Sequence, residues 1–351
     1  MSATRTTAPA PAVERTTRRP RSARLATGLL ALAGVLVVLT LCSVVLGARD
    51  IGVGDVLGAF VHFDASTEDT VAVRMRMPRT LLGLLVGGAL GLAGAILQGL
   101  TRNPLADPGI MGINAGAAAG IVGAITLLGL HGVGVLLWFG FAGAVVATAV
   151  VYAIGSLGRD GATPVKMALA GAAVTAGLTA ITTGLLLTDR DAIDQMRFWQ
   201  VGSLAGRYAP VLESIAPFLI VGVVAALLCG RWLNALALGD DAARGLGVSL
   251  GRTRVVLFCV VAVLCGAAVA ACGPIVFVGL VVPHVARFVC GPDYRWILPY
   301  SLLLGPAMLL GADVLGRLLD GSGELQVGVV LGVIGAPFFV LLVRYSKLAE
   351  L

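Results

Sequence analysis

The chain has 351 residues, of which 58% are hydrophobic and only 13% charged, and its formal net charge is +6 at neutral pH. Water-soluble domains run at roughly 45–50% apolar and about 25% charged. Too little polar surface remains to cover a water-soluble globule, so a membrane-embedded chain is expected.

Residues 1–24 are polar and rich in Arg, Thr, Ala and Pro, the composition of a disordered tail. Arg18-Arg19 has the look of a twin-arginine signal, but Pro20-Arg21 follow where such signals turn apolar. The next apolar run, 25–47, is long enough to span a bilayer core of about 30 Å, so it reads as a retained first helix. Further candidate spans lie at 80–100, 110–130, 132–157, 165–187, 210–230, 255–272, 274–290, 297–316 and 325–343, ten in all. Gly273-Pro274 marks a place where one long helix would break in two. The expected fold is an all-α polytopic membrane protein of about ten transmembrane helices.

Glycines sit inside the apolar runs. Gly83, Gly87, Gly91, Ala95 and Gly99 recur every four residues in the second span; Gly112, Gly116 and Gly120 do so in the third, and Gly328, Gly332 and Ala336 in the tenth. Residues four apart share a helix face, so these small-residue ridges predict close helix packing inside a bundle. Orientation follows from the basic residues. With the N-terminus inside, 17 of the 25 Lys and Arg fall on the inner side and 8 on the outer. The positive-inside rule therefore puts both termini in the cytoplasm.

Several chemistries find no support. The six cysteines include no C-x-x-C pair, and the three histidines are isolated, so neither a disulfide framework nor a metal site is expected. A phosphate-cradling loop ends in Gly-Lys-Ser/Thr; Lys166 lies between Val165 and Met167 and Lys347 between Ser346 and Leu348. The chain is expected to hydrolyse no ATP itself. Gly247-Val248-Ser249-Leu250-Gly251 matches the hydrolase pattern G-x-S-x-G, but a nucleophile elbow needs a strand before it, and this string lies in a basic loop between spans. Acidic residues within spans mark proton or ion relays. Asp313, four residues before Arg317, is the main one here, which weighs against a stand-alone secondary transporter.

Five stretches occur in order. Arg76-Met77-Pro78-Arg79-Thr80 enters the second span, and Asn103-Pro104-Leu105-Ala106-Asp107-Pro108-Gly109 follows it, its two prolines enforcing a turn. Leu236 to Gly247 is a loop with helical character on the inner side. Gly273 to Arg287, including Pro283-His284, and Gly335-Ala336-Pro337-Phe338-Phe339 complete the set. Together they closely resemble the FecCD family of ABC-importer permeases, which serves iron-siderophore, haem and vitamin B12 uptake. The resemblance covers roughly residues 25–345.

That resemblance implies a single ten-helix permease domain, 25–345, in a bacterial cytoplasmic membrane, with a coupling loop at about 231–254 and residues 346–351 as a cytoplasmic C-terminus. It implies a second permease subunit, identical or related, two separate ATP-binding subunits below, and an extracytoplasmic substrate-binding protein above. No cofactor, resident metal or nucleic-acid partner is implied. The cargo it suggests is a ferric siderophore, with cobalamin or haem as alternatives.

Residue roles follow by position. Arg76, Arg79 and Arg317 match arginines that receive acidic residues of the binding protein; snorkelling to anionic lipid is the competing reading. Leu236, Leu238, Gly239, Asp240, Asp241, Ala243, Arg244, Leu246 and Gly247 match the coupling helix that fits a groove on the ATPase; the plainer reading is a solvated loop helix. Asn103 and Leu105, with Thr163 of the Arg159–Lys166 loop, match a gate at the cytoplasmic end of the pathway, although stabilising the turn accounts for Asn103 equally well. His284 follows Pro283 in relatives whatever their cargo, which favours a structural role over haem ligation.

Overall fold

The computed structural model describes residues 21–46, 68–158, 163–319 and 325–345. The expectations for residues 1–20, for the C-terminal 346–351 and for part of the loop before Lys166 lie outside the described residues. All regular secondary structure among the described residues is helical. In chain order the helices are α1 (Arg21–Val45), α2 (Glu68–Thr101), α3 (Ile113–Leu128), α4 (Val133–Gly155), α5 (Pro164–Leu186), α6 (Arg190–Trp199) and α7 (Ala209–Leu228). They continue with α8 (Gly230–Ala237), α9 (Asp240–Gly245), α10 (Leu250–Cys272), α11 (Val278–Cys290), α12 (Tyr294–Leu319) and α13 (Val327–Tyr345).

Each of the ten apolar runs forms a helix. Seven (α1, α2, α4, α5, α7, α10 and α12) are long and apolar enough to cross a membrane. Two expectations need correction. Arg21 to Arg24 are not tail: they form the first turn of α1, and Arg21 donates to the Cys290 carbonyl at 3.1 Å. The span at 274–290 is shorter than expected: α10 stops at Cys272, and α11, with 13 residues, is about 20 Å long. Gly273 (φ 74°) and Phe277 (φ 68°) hold left-handed conformations between them, and Pro274 offers no N–H to continue a helix. The loop between the spans at 210–230 and 255–272 has the helical character expected of it, as two short helices, α8 and α9. The amphipathic α6 was not foreseen.

The core is α2 and α10, both largely buried. The glycine ridge of α2 explains how α12 comes so near. A Cβ built on Gly87 would lie 2.6 Å from the Pro306 backbone, and one on Gly91 2.6 Å from the Ser301 oxygen. Gly116 and Gly120 of α3 face Gly143 and Phe139 of α4 in the same backbone-to-backbone manner. The third ridge differs from expectation. Gly328 of α13 packs on the Val201 oxygen, but Gly332 meets nothing within 4 Å and Ala336 is exposed. Among the described residues, only its first position makes a close approach.

α2 and α12 run antiparallel, which gives the bundle two ends. Arg79 and Arg317 lie at one (the Arg317 end), and the end of α2, the start of α12 and α8–α9 at the other (the α9 end).

Candidate functional site

At the Arg317 end the chemistry starts with helix termini. The last carbonyls of any helix lack intrahelical donors. α1 ends among arginines: Arg317 Nη1 donates to Ser43 O (2.9 Å) and Leu46 O (2.7 Å), and Arg76 Nη1 donates to Val44 O (3.0 Å) and Val45 O (2.8 Å). Positive charge suits the negative end of the helix dipole. Asp313 balances the charge. Its carboxylate accepts a fork from Arg79, Nη2 at 2.8 Å and Nε at 3.2 Å, and pairs with Arg317 Nη2 at 3.2 Å. Ser43 Oγ accepts from Arg317 Nη2 (3.0 Å) and hydrogen-bonds Thr80 Oγ1 (2.9 Å). Arg317 is 3% exposed and Asp313 1%. The Arg317 guanidinium is turned inward, and so is most of the Arg79 side chain. Arg76 is half-exposed and Arg74 exposed at the same end.

A cavity of about 480 Å³ opens between α3, α4, α6 and α10, bounded by Trp199, Ser203, Arg207 and Gln326. Trp199 Nε1, Arg207 Nε and Gln326 Oε1 lack hydrogen-bond partners among the described residues, and orphan polar atoms of this kind mark a wet interior.

At the α9 end the loop Leu236–Gly247 is a helix-turn-helix hinged at Gly239, whose φ of 105° favours glycine. Gly247 (φ 80°) turns the chain out of α9. Leu236 and Ala243 are buried, so they seat the motif on the bundle. Leu238, Asp241, Arg244 and Leu246 point outward, with Asp241 and Arg244 paired at 2.7 Å. Asp240 turns inward. One oxygen accepts from Arg102 and the other from Arg254 at 2.8 Å. Partial burial pushes the Asp240 carboxyl up, but the two guanidiniums together outweigh it and hold the group below the ordinary carboxylate range. Asp293 is held at about 2, chiefly by its hydrogen bonds from Arg295 and also by Asn234 of α8.

The segment after α2 is a re-entrant elbow. Arg102 adopts φ 49°, a left-handed conformation uncommon for a residue with a Cβ. Asn103 Oδ1 then accepts from Leu105 N at 3.0 Å, the turn-stabilising role. Leu105 is 39% exposed. From Ala106 the chain climbs back into the bundle. Asp107 caps the 3-10 turn Pro108–Met111 through Gly109 N (2.7 Å) and lines a small internal cavity with Asn114, Cys265 and Gly279. Asp107 therefore lies inside the bundle. Thr163 caps α5, accepting from Lys166 N at 3.4 Å, and no hydrogen bond joins it to Asn103 or Leu105. Among the described residues no three His, Cys, Asp or Glu side chains are grouped to hold a metal. Ser249 lies between α9 and α10 with no strand before it, so G-V-S-L-G is no nucleophile elbow.

Comparison with known proteins agrees with this arrangement. The model of the FecCD transport family matches residues 35–345. The chain is 47% identical over 311 residues to the ferric enterobactin transport system permease protein FepD of Escherichia coli (strain K12), covering 88% of this chain and 92% of FepD. It is 42% identical over 316 residues to YfiZ of Bacillus subtilis (strain 168), named as a probable siderophore transport system permease, covering 90% and 95%. A solved structure described as an inward-facing metal-chelate type ABC transporter superimposes with a TM-score of 0.78 at 27% identity, covering 92% of this chain and all of the other.

Proposed function

Because the chain belongs to the FecCD transport family, we propose that it is the membrane-spanning permease of a bacterial ABC importer and that its cargo is a ferric siderophore. The observation that carries this reading is the α8–α9 motif. It presents Leu238, Asp241, Arg244 and Leu246 at one end of an apolar bundle whose sequence contains no nucleotide-binding loop. An apolar rim around a charged pair suits a groove on a separate ATP-binding subunit. The distribution of basic residues puts that end, with both termini, in the cytoplasm. The exposed side of α13, with Gly332 open, and the largely exposed α5 suit packing against a second permease. The elbow at Asn103 and Leu105, with Thr163 at the head of α5, suits a gate at the cytoplasmic end. The siderophore assignment rests on FepD and YfiZ, whose names specify ferric enterobactin and siderophore transport.

Uptake of radio-iron from ferric siderophores by iron-starved cells tests the cargo. Deletion of the gene is expected to abolish uptake, and its return to restore it. Unchanged uptake in a strain with no redundant importer overturns the siderophore assignment.

Docking of a substrate-binding protein at the opposite end is assigned to Arg76, Arg79 and Arg317, of which Arg76 is more exposed than Arg317. Arg76→Glu is expected to weaken binding-protein association at least tenfold while ATPase subunits still co-purify. Association of the wild type is expected to weaken as salt rises, because exposed charges are screened. Salt-independent association, or a variant that binds as well as wild type, rules out this docking surface.

A further inference from the structure

We propose that Arg102 is a positioning residue of the transport cycle, yoking the coupling helix α9 to the gate segment Asn103–Leu105. The inference rests on the importer reading above. The geometry is a three-way junction. Arg102 Nε donates to the Leu236 carbonyl at the end of α8 at 2.8 Å, and its Nη2 donates to Asp240 in the first turn of α9. The other Asp240 oxygen is held by Arg254 in α10. Arg102 thus grips both arms of the helix-turn-helix, on either side of the Gly239 hinge.

Arg102 is also joined by a single peptide bond to Asn103. Its own backbone is left-handed, a conformation that persists only where the surrounding structure over-determines it. Asn103 N bonds Gln98 O, and Asn103 Oδ1 accepts from Leu105 N, so the elbow moves as a stiff turn. A displacement of α9 reaches Asn103 through one side chain and one peptide. Gln98 extends the linkage. It accepts from Arg287 at 3.2 Å and donates to the Leu280 carbonyl at 3.1 Å, which connects the same end of α2 to α11. Asp241 and Arg244 remain outward, so the surface that meets an ATPase and the side chain that relays its motion are separate.

The test uses the complete importer, permease with its ATPase and binding-protein partners, in proteoliposomes. The readout is cargo moved per ATP hydrolysed. Arg102→Gln is expected to lower that ratio at least tenfold. Arg102→Lys, which keeps the charge beside Asp240, is expected to recover a substantial part. Arg254→Gln, which leaves the Arg102 links to α8 and α9 in place, is expected to keep the ratio within about twofold. A second measurement follows spin labels at positions 104 and 245. In wild type the two move together on ATP binding, and in Arg102→Gln they move independently. A wild-type ratio in Arg102→Gln, or labels that still move together, overturns the proposal. An equal loss in Arg102→Gln and Arg254→Gln also overturns it, because both variants would then act through general support of α9. If wild type itself neither engages an ATPase nor moves cargo, it is the importer reading that fails.

Discussion

Asp313→Ala is expected to destabilise the folded protein by about 3–5 kcal/mol, the cost of leaving a buried charge pair broken. Asp313 is nearly inaccessible and is the shared carboxylate of two arginines, Arg79 and Arg317. Removing it takes a buried counter-charge away from two inward-turned guanidiniums. Arg317 cannot simply turn away, because it caps the end of α1 through Ser43 and Leu46. A thermal melt of the detergent-solubilised protein reads the effect. Asp313→Asn keeps an acceptor in place and is expected to lose less. A variant Asp313→Ala that melts with wild type would show that the triad contributes nothing to stability.

Gly94→Val is the second large effect. A Cβ at Gly94 would fall against the backbone of Gly279 itself, 2.6 Å from its Cα. Backbone cannot change rotamer, so α2 and α11 must separate. Overpacking typically costs about 1–3 kcal/mol and occasionally more, and this site is expected at or above that upper end. Gly123 of α3, where a Cβ meets nothing within 4 Å, is the control. Gly123→Val is expected to change stability by about 0.5 kcal/mol or less. Equal melting of the two variants would mean that the α2–α11 approach is not tight in solution.

The sequence made the bundle legible because apolar length and glycine spacing are local signals. Each of the ten runs became a helix, and the ridges of α2 and α3 became backbone contacts. The failures are long-range. Arg317 lies four residues from Asp313, so that pairing could be read directly. The fork from Arg79 comes from 234 residues away, and nothing in the local pattern announces it. The two prolines around Asp107 announced a turn, but not that the chain carries Asp107 back into the bundle after it. Leu236, Ala243 and Asp240 resembled one exposed motif with Asp241 and Arg244, and only the fold divides inward from outward members. Arg102 was passed over because a single arginine before an Asn-Pro turn looks like an ordinary surface charge.

The attachment of α1 carries a consequence in time. Little of this helix is buried; it is fastened near its two ends. Tyr300 donates to the Leu25 carbonyl, Arg21 to the Cys290 carbonyl, and Arg317 to Ser43 and Leu46. Every one of those partners is made some 270 residues later. At bacterial synthesis rates of about 5–20 residues per second, the interval is on the order of ten seconds to a minute. This helix is therefore fully fastened only when α12 is in place; until then Arg76 can hold the Val44 and Val45 carbonyls, while those of Ser43 and Leu46 wait uncapped.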